Sequence, residues 1–180
     1  MGEKPVVLIA GCGDVGSRLA VGLLADSWRI YGLRRSVGGL PAGVWPVAGD
    51  LHDPTRPQAW PSGPIDYLVY CAAASESSEA GYRAAYVDGL RHVLGWLREQ
   101  GQAPRRVLFV SSTSVYGQHN GEWVDEQSTV SSESYSGRIL LEAEQWLLGS
   151  EGPASVVRLR GIYGPGRAWL INQVRQGYRV

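Results

Sequence analysis

The chain is poor in lysine: of the 17 basic residues among its 180, only Lys4 is lysine and the rest are arginine. Any mechanism that needs a catalytic lysine in the interior is therefore excluded. The two cysteines, Cys12 and Cys71, are too few for a disulfide scaffold and read as small packing residues of a reducing compartment. Neither charge is in excess. Seventeen acidic residues balance the basic ones, so no global field draws the chain to nucleic acid or to an anionic membrane. No apolar run approaches the roughly 20 residues that a membrane helix needs, and residues 1–10 are too soon followed by glycine to read as a signal peptide. A cytoplasmic location is expected. The three histidines, His52, His92 and His119, show no metal spacing, and no Cys/His cluster points to zinc. What remains, 44% apolar residues and 24 glycines, describes one soluble globular domain over residues 1–180.

The pattern along the chain alternates. Val6–Ala10 is a short β-branched apolar run without polar alternation, the signature of a strand buried on both faces of a parallel sheet. Glycines follow, and then 17–26 carries Leu19, Ala20, Leu23 and Leu24 at helical spacing. Further strands are expected at 28–33, 44–48, 65–73, 105–111 and 154–159. Helices are expected at 79–100, with Tyr82, Tyr86, Val93, Leu94 and Leu97 facing inward, at 134–149, and from 167 to 176. Six strands interleaved with helices predict an α/β fold, a doubly wound parallel sheet, because parallel neighbours need right-handed crossovers. The proline-rich stretch 41–64 reads as loops around the third strand.

Gly11-Cys12-Gly13-Asp14-Val15-Gly16 follows a buried strand and opens a helix inside a βαβ unit, which is the context a dinucleotide-binding Rossmann fold requires. Gly11 permits the tight turn, Gly13 has no Cβ to hold off a pyrophosphate, and Gly16 lets the helix pack close to the strand. Asp14 and Val15 complete the turn, where free N–H groups of the helix N-terminus can meet the anion. At the end of the second strand an NAD site carries Asp or Glu to hold the ribose hydroxyls. This chain has Arg34 and Arg35 there, which can clamp a 2′-phosphate, so NADP is favoured over NAD. Asp50, in Gly49-Asp50-Leu51, can accept from an adenine amino group, with Leu51 beside it. Ala72 and Ala73 are small enough to lie against the cofactor. In a sheet of order 3-2-1-4-5-6, Cys12 and Cys71 end neighbouring strands.

Taken in order, Gly11 to Gly16, Gly49-Asp50-Leu51, Tyr86-Val87-Asp88-Gly89, Ser111-Ser112-Thr113-Ser114-Val115-Tyr116-Gly117 and Arg160-Gly161-Ile162-Tyr163-Gly164-Pro165-Gly166 resemble the NAD-dependent epimerase/dehydratase family, the extended short-chain dehydrogenase/reductases. The GxGxxG spacing is similar to that of the atypical branch. The resemblance implies a Ser or Thr that polarises the substrate, a Tyr that acts as general acid or base, and a Lys four residues on. Ser112 matches the serine. Tyr135 matches the tyrosine, yet Ile139 stands four residues later. A register anchored on Glu144 instead puts Ser136 and Leu140 at the two positions. Neither supplies a lysine. Arg138 lies on the same helical face as Tyr135 and can reach as a fixed cation that favours tyrosinate, although it cannot itself exchange a proton near neutrality. The asparagine that commonly precedes Val87 in the family is replaced by Tyr86. His119 and Asn120 read as loop residues near a substrate path, and the acidic loop 122–126 as its solvated rim.

Members of that family continue past Tyr-Gly-Pro-Gly into a further strand and a small region that closes over the substrate, so that region is expected to be largely absent here. Trp169, Leu170, Ile171 and Val174 would then lack cover. Family members pair through two long helices, which the resemblance maps onto 79–100 and 134–149 as a homodimer contact. Two functions follow. One is an oxidoreductase, epimerase or dehydratase that binds a dinucleotide and acts on a carbonyl or hydroxyl of an unidentified small molecule. The other is a non-catalytic NADP-binding sensor, or a shortened inactive relative.

Overall fold

A computed structural model describes residues 4–118 and 120–177; His119 and the side chains of Trp169 and Leu170 lie outside the described residues. Strand β1 (Val6–Ala10) is buried along its whole length and is followed at once by helix α1 (Asp14–Ala25) and strand β2 (Arg29–Arg34). Then come β3 (Trp45–Ala48), β4 (Tyr67–Tyr70), α2 (Glu79–Arg83), α3 (Gly89–Glu99), β5 (Arg106–Ser112), α4 (Tyr135–Leu148), β6 (Ala154–Leu159) and α5 (Trp169–Arg175). All six strands are parallel, as the alternation predicts, and stand in the order β3-β2-β1-β4-β5-β6. The period of two along β1 separates two cores. Val6, Leu8 and Ala10 join α3 and α4 residues such as Val93, Trp96 and Leu147 on one face. Val7 and Ile9 join Ala20 of α1 and both cysteines on the other.

Three elements differ from the sequence expectation. Helix α1 starts at Asp14, within the glycine motif, because the turn is complete by Gly13. Strand β4 ends at Tyr70. Residues 71–73 leave the sheet and pass over the glycine turn, and an apolar run cannot by itself distinguish a buried strand from a buried loop. The single helix expected over 79–100 is three segments, with a wider π turn at Ala84–Asp88 between α2 and α3. The cause is Tyr70, fully buried under the helix, whose hydroxyl donates to the carbonyl of Ala85 and occupies the space beside Gly89. Ile171 and Val174 on α5 are exposed. Among the described residues no helix is long and apolar enough to cross a membrane.

Cys12 and Cys71 are free, buried and at the ends of neighbouring strands. The Cys71 thiol donates to the carbonyl of Gly11 at 3.3 Å. Burial, with a smaller contribution from Cys12, pushes its pKa from an ordinary 9.0 up to about 12. A pKa raised by folding means that the neutral thiol is favoured, so its contribution to stability is full below pH 9.0 and is lost as pH rises from there toward 12. Alkylation of Cys71 near pH ~8 is therefore expected to be slow in the folded chain and fast in urea, measured by mass spectrometry; equal rates would contradict the burial. A second expectation concerns Gly89, where a Cβ would stand 2.5 Å from the Tyr70 hydroxyl, whereas a Cβ on Gly95 in the same helix meets nothing within 4 Å. Gly89→Ala is expected to destabilise by about 1–3 kcal/mol, and Gly95→Ala to stabilise by roughly 0.5–1 kcal/mol, both read from urea denaturation.

Candidate functional site

The strand order reverses direction between β1 and β4, which is where open parallel sheets hold ligands, beyond the C-terminal ends of the strands. A cavity of about 330 Å³ opens there. It is lined by Gly11, Gly13, Asp14 and Val15, by Arg34 and Arg35, by Asp50 and Leu51, and by Ala72 and Ala73. Of the residues expected at a cofactor, Gly16 alone is set back from the cavity wall, beneath the turn. A Cβ on Gly16 would stand 2.9 Å from Ile9 and 3.0 Å from the Cys71 sulfur, so its absence sets the distance between α1 and the sheet. Gly11 has φ +79, and a Cβ there would stand 2.5 Å from the Ala72 backbone. The turn and the loop after β4 thus touch backbone to backbone. The N-terminus of α1 has no side-chain cap at Gly13, which leaves its first N–H groups for an anion.

The walls are held from behind. Arg34 is half-buried and its Nη1 donates to the carbonyl of Cys12 at 3.3 Å, while Arg35 is exposed. One Asp50 carboxylate oxygen accepts from the backbone N–H of His52 at 3.1 Å, and the His92 ring nitrogen Nδ1 lies 2.8 Å from the carbonyl of Leu51. Sequence reasoning missed Ser36, His52, Ser75, Ala85 and Arg167, which also line the cavity. Ser36 and His52 adjoin expected residues and were within reach of the motif. Arg167 follows Tyr-Gly-Pro-Gly, but only the fold brings that turn back to the glycine loop.

The expected catalytic residues stand apart from this cavity's lining. Ser112 ends β5, half-buried, and its Oγ accepts from the N–H of Ser114 at 3.2 Å, capping a short turn at Thr113–Val115. Ser134 caps α4 by accepting from Gly137 N–H at 3.1 Å, which makes Tyr135 the first helical residue. The Tyr135 ring stands edge-on to Tyr82 at 5.5 Å, and Tyr82 in turn lies 5.3 Å from Tyr86. Burial pushes the Tyr86 phenol up in pKa. Arg138 is exposed, and its Nη1 donates to the carbonyl of Glu133 at 2.5 Å. Ile139 and Leu140, which occupy the lysine position in the two registers, are both core side chains, 3% and 2% exposed.

Behind Ser112 lies a buried ionic group whose significance was hidden in sequence. Glu144 on α4, 1% exposed, accepts from Arg158 Nη2 at 2.7 Å and from the Ser111 hydroxyl at 2.5 Å. Arg158, held protonated by Glu144, also donates through Nη1 to the Tyr116 oxygen at 2.9 Å. The Tyr116 hydroxyl donates to the carbonyl of Asp125 at 2.8 Å. Helix α4 and strands β5 and β6 are joined through one carboxylate, and Arg158 and Tyr116 extend the link to the 117–134 loop. Among the described residues, no group of three or more His, Cys, Asp or Glu could hold a metal ion.

The profile of the NAD-dependent epimerase/dehydratase family matches residues 7–176. The chain is 30% identical over 165 residues to protein YeeZ of Escherichia coli K12, covering 89% of this chain but 60% of YeeZ. Among solved structures it is similar to a Methylobacillus flagellatus protein assigned to the NAD-dependent epimerases/dehydratases, with TM-score 0.78 and 38% identity over 97% of this chain and 61% of that one. The fold also matches Bordetella bronchiseptica WbmG in complex with NAD and UDP, with TM-score 0.74 and 19% identity over 99% of this chain and 62% of that one. The chain thus spans about three fifths of the length of these relatives. With a glycine turn at the reversal of a parallel sheet and a family profile matched from the first strand to the last helix, the chain belongs to the NAD-dependent epimerase/dehydratase family.

Proposed function

We propose that the chain is the dinucleotide-binding part of an NADP-dependent oxidoreductase, epimerase or dehydratase that acts on a carbonyl or hydroxyl of a small molecule. The observation that carries the reading is the cavity in which the glycine turn, the Arg34 and Arg35 pair and Asp50 converge. The residues fit the group: the helix N-terminus has no side-chain cap, a Cβ on Gly13 would meet nothing closer than 3.8 Å so the turn is open there, and the cavity volume falls in the range of ligand pockets. A bound nicotinamide dinucleotide would supply hydride chemistry. The α1 N-terminus would take the pyrophosphate, Arg34 and Arg35 the 2′-phosphate, and the Asp50 carboxylate the adenine amino group. WbmG and its NAD complex extend the dinucleotide reading to this chain by likeness of fold.

On the substrate side, a hydroxyl that accepts a backbone N–H keeps its own hydrogen to donate. Ser112 is in this state and can polarise a substrate oxygen. Tyr135 would exchange the proton. Two observations favour the second reading, a dinucleotide-binding protein without chemistry: Arg138 is engaged by the Glu133 carbonyl, and apolar core fills both candidate lysine positions.

Calorimetry on the purified chain tests the cofactor. Arg34→Ala and Arg35→Ala are each expected to weaken NADPH by roughly ten- to a hundred-fold, the scale of a charged hydrogen bond, and to leave NADH nearly unchanged. Equal effects on both dinucleotides would overturn the NADP preference. Ser112→Ala and Tyr135→Phe separate the two functional readings. An enzyme loses roughly a hundred-fold or more in turnover on a carbonyl substrate at constant NADPH affinity, whereas a sensor shows no turnover to lose.

A further inference from the structure

The glycine turn carries an anion of its own. Asp14 is the first residue of α1, and a carboxylate there suits the helix dipole in the free chain. The same N-terminus is where a phosphate would sit, and two anions side by side repel each other. The structure surrounds this carboxylate with two cations from different parts of the chain. Arg18, one helical turn on, places Nε 3.0 Å from Asp14 Oδ1. Arg167, from the turn after Tyr-Gly-Pro-Gly, places Nε 2.8 Å from Asp14 Oδ2. Arg18 also donates through Nη2 to the carbonyl of Pro165 at 2.5 Å, so one guanidinium holds both the carboxylate and the turn that carries the second. That turn is closed on itself, with Arg167 N–H to Gly164 O at 2.8 Å and Gly164 N–H to Arg167 O at 3.3 Å. Arg167 lines the cavity beside Gly11, Gly13 and Asp14.

One carboxylate needs one partner. Arg18 is that partner by sequence, since a residue four positions along a helix always faces it. The second guanidinium makes the cluster net positive at the wall of the cavity. Its pair with Asp14 is also weak: the side chains are 41% and 39% exposed, and ion pairs so open to water contribute little. Arg167 can leave Asp14 for a stronger anion without stranding the carboxylate, because Arg18 stays. A guanidinium on a phosphate forms paired, charge-assisted bonds that a shared carboxylate edge does not match.

We propose that Arg167 is a further dinucleotide-binding residue, one that Asp14 holds at the rim of the cavity and that transfers to the pyrophosphate when the cofactor binds. The Gly164 to Arg167 turn then closes the cavity from the far end of the sheet. This rests on the dinucleotide reading above, and the ligands of the test keep the two apart. Calorimetry on the full chain uses NADPH, ADP-ribose, which keeps the pyrophosphate without nicotinamide or 2′-phosphate, and 2′-AMP, which has no pyrophosphate. Arg167→Ala is expected to weaken NADPH and ADP-ribose alike, by about ten-fold, and to leave 2′-AMP unchanged. Arg167→Lys, which keeps the charge and loses the fork, is expected to recover part of that loss. Asp14→Asn, which frees Arg167, is expected to bind ADP-ribose at least as tightly as the parent chain. Unchanged ADP-ribose affinity in Arg167→Ala overturns the assignment of Arg167 while leaving the dinucleotide site intact. An equal loss for 2′-AMP overturns it as well, by showing a general disturbance. Failure of the parent chain to bind any of the three overturns the dinucleotide reading itself, and Arg167 with it.

Discussion

The structure depends on one backbone contact, that of Gly11 against Ala72. At this point the chain leaving β1 and the chain leaving β4 approach more closely than any side chain allows. Strands β1 and β4 are neighbours in the sheet but 60 residues separate the Gly11 carbonyl from the Cys71 thiol that donates to it. Because the two exits touch, α1 is drawn down onto Ile9 and Cys71 through Gly16, and its N-terminus is aimed into the space between the strands. The cavity follows from that geometry. A Cβ at Gly11 would have to displace main chain, which is far harder than turning a side chain aside.

The two ends of the sheet use charge differently. At the cavity, the cations Arg34, Arg35 and Arg167 are exposed or half-buried, and the ion pair of Arg167 with Asp14 is open to water. Around Glu144 the opposite holds. A carboxylate with 1% exposure is tolerable only because Arg158 and Ser111 saturate it, and removing one partner would leave an uncompensated charge in the interior. That saturation ties β5, α4 and β6 together at the place where Ser112 emerges. Ser112 therefore sits on a rigid support even though β6 is an edge strand.

The two positions at which the resemblance implies a lysine are both given to packing. Helix α4 keeps the serine cap and the tyrosine at its start, but the next turn is given to Ile139 and Leu140, both in the core. An ammonium could not occupy either place without an interior partner. The side chain nearest in sequence that carries charge, Arg138, turns outward to the Glu133 carbonyl. The cavity thus gathers the glycine turn, Arg34, Arg35 and Asp50, while both positions at which the resemblance implies a lysine belong to the core.

Much of this was determined locally. Buried apolar strands, a GxGxxG turn and the Arg34 and Arg35 pair are short-range patterns, and they sufficed for the parallel α/β fold and for much of the cavity lining, because each is legible within a few neighbouring residues. The elements that sequence misjudged answer to distant partners. The π turn at Ala84–Asp88 exists because Tyr70 lies beneath it, and β4 stops at Tyr70 because the glycine turn needs the space beyond. Glu144 and Arg158 look like ordinary surface charges until α4 and β6 are set side by side, and Arg167 meets Asp14 only when the far end of the sheet folds back. The sequence by itself determined which segments form the parallel sheet and where the glycine turn opens a helix, since periodicity and glycine spacing act along the chain. Which charges are buried, which are shared and which remain free was decided only by tertiary structure, because desolvation and ion pairing depend on neighbours that sequence distance does not reveal.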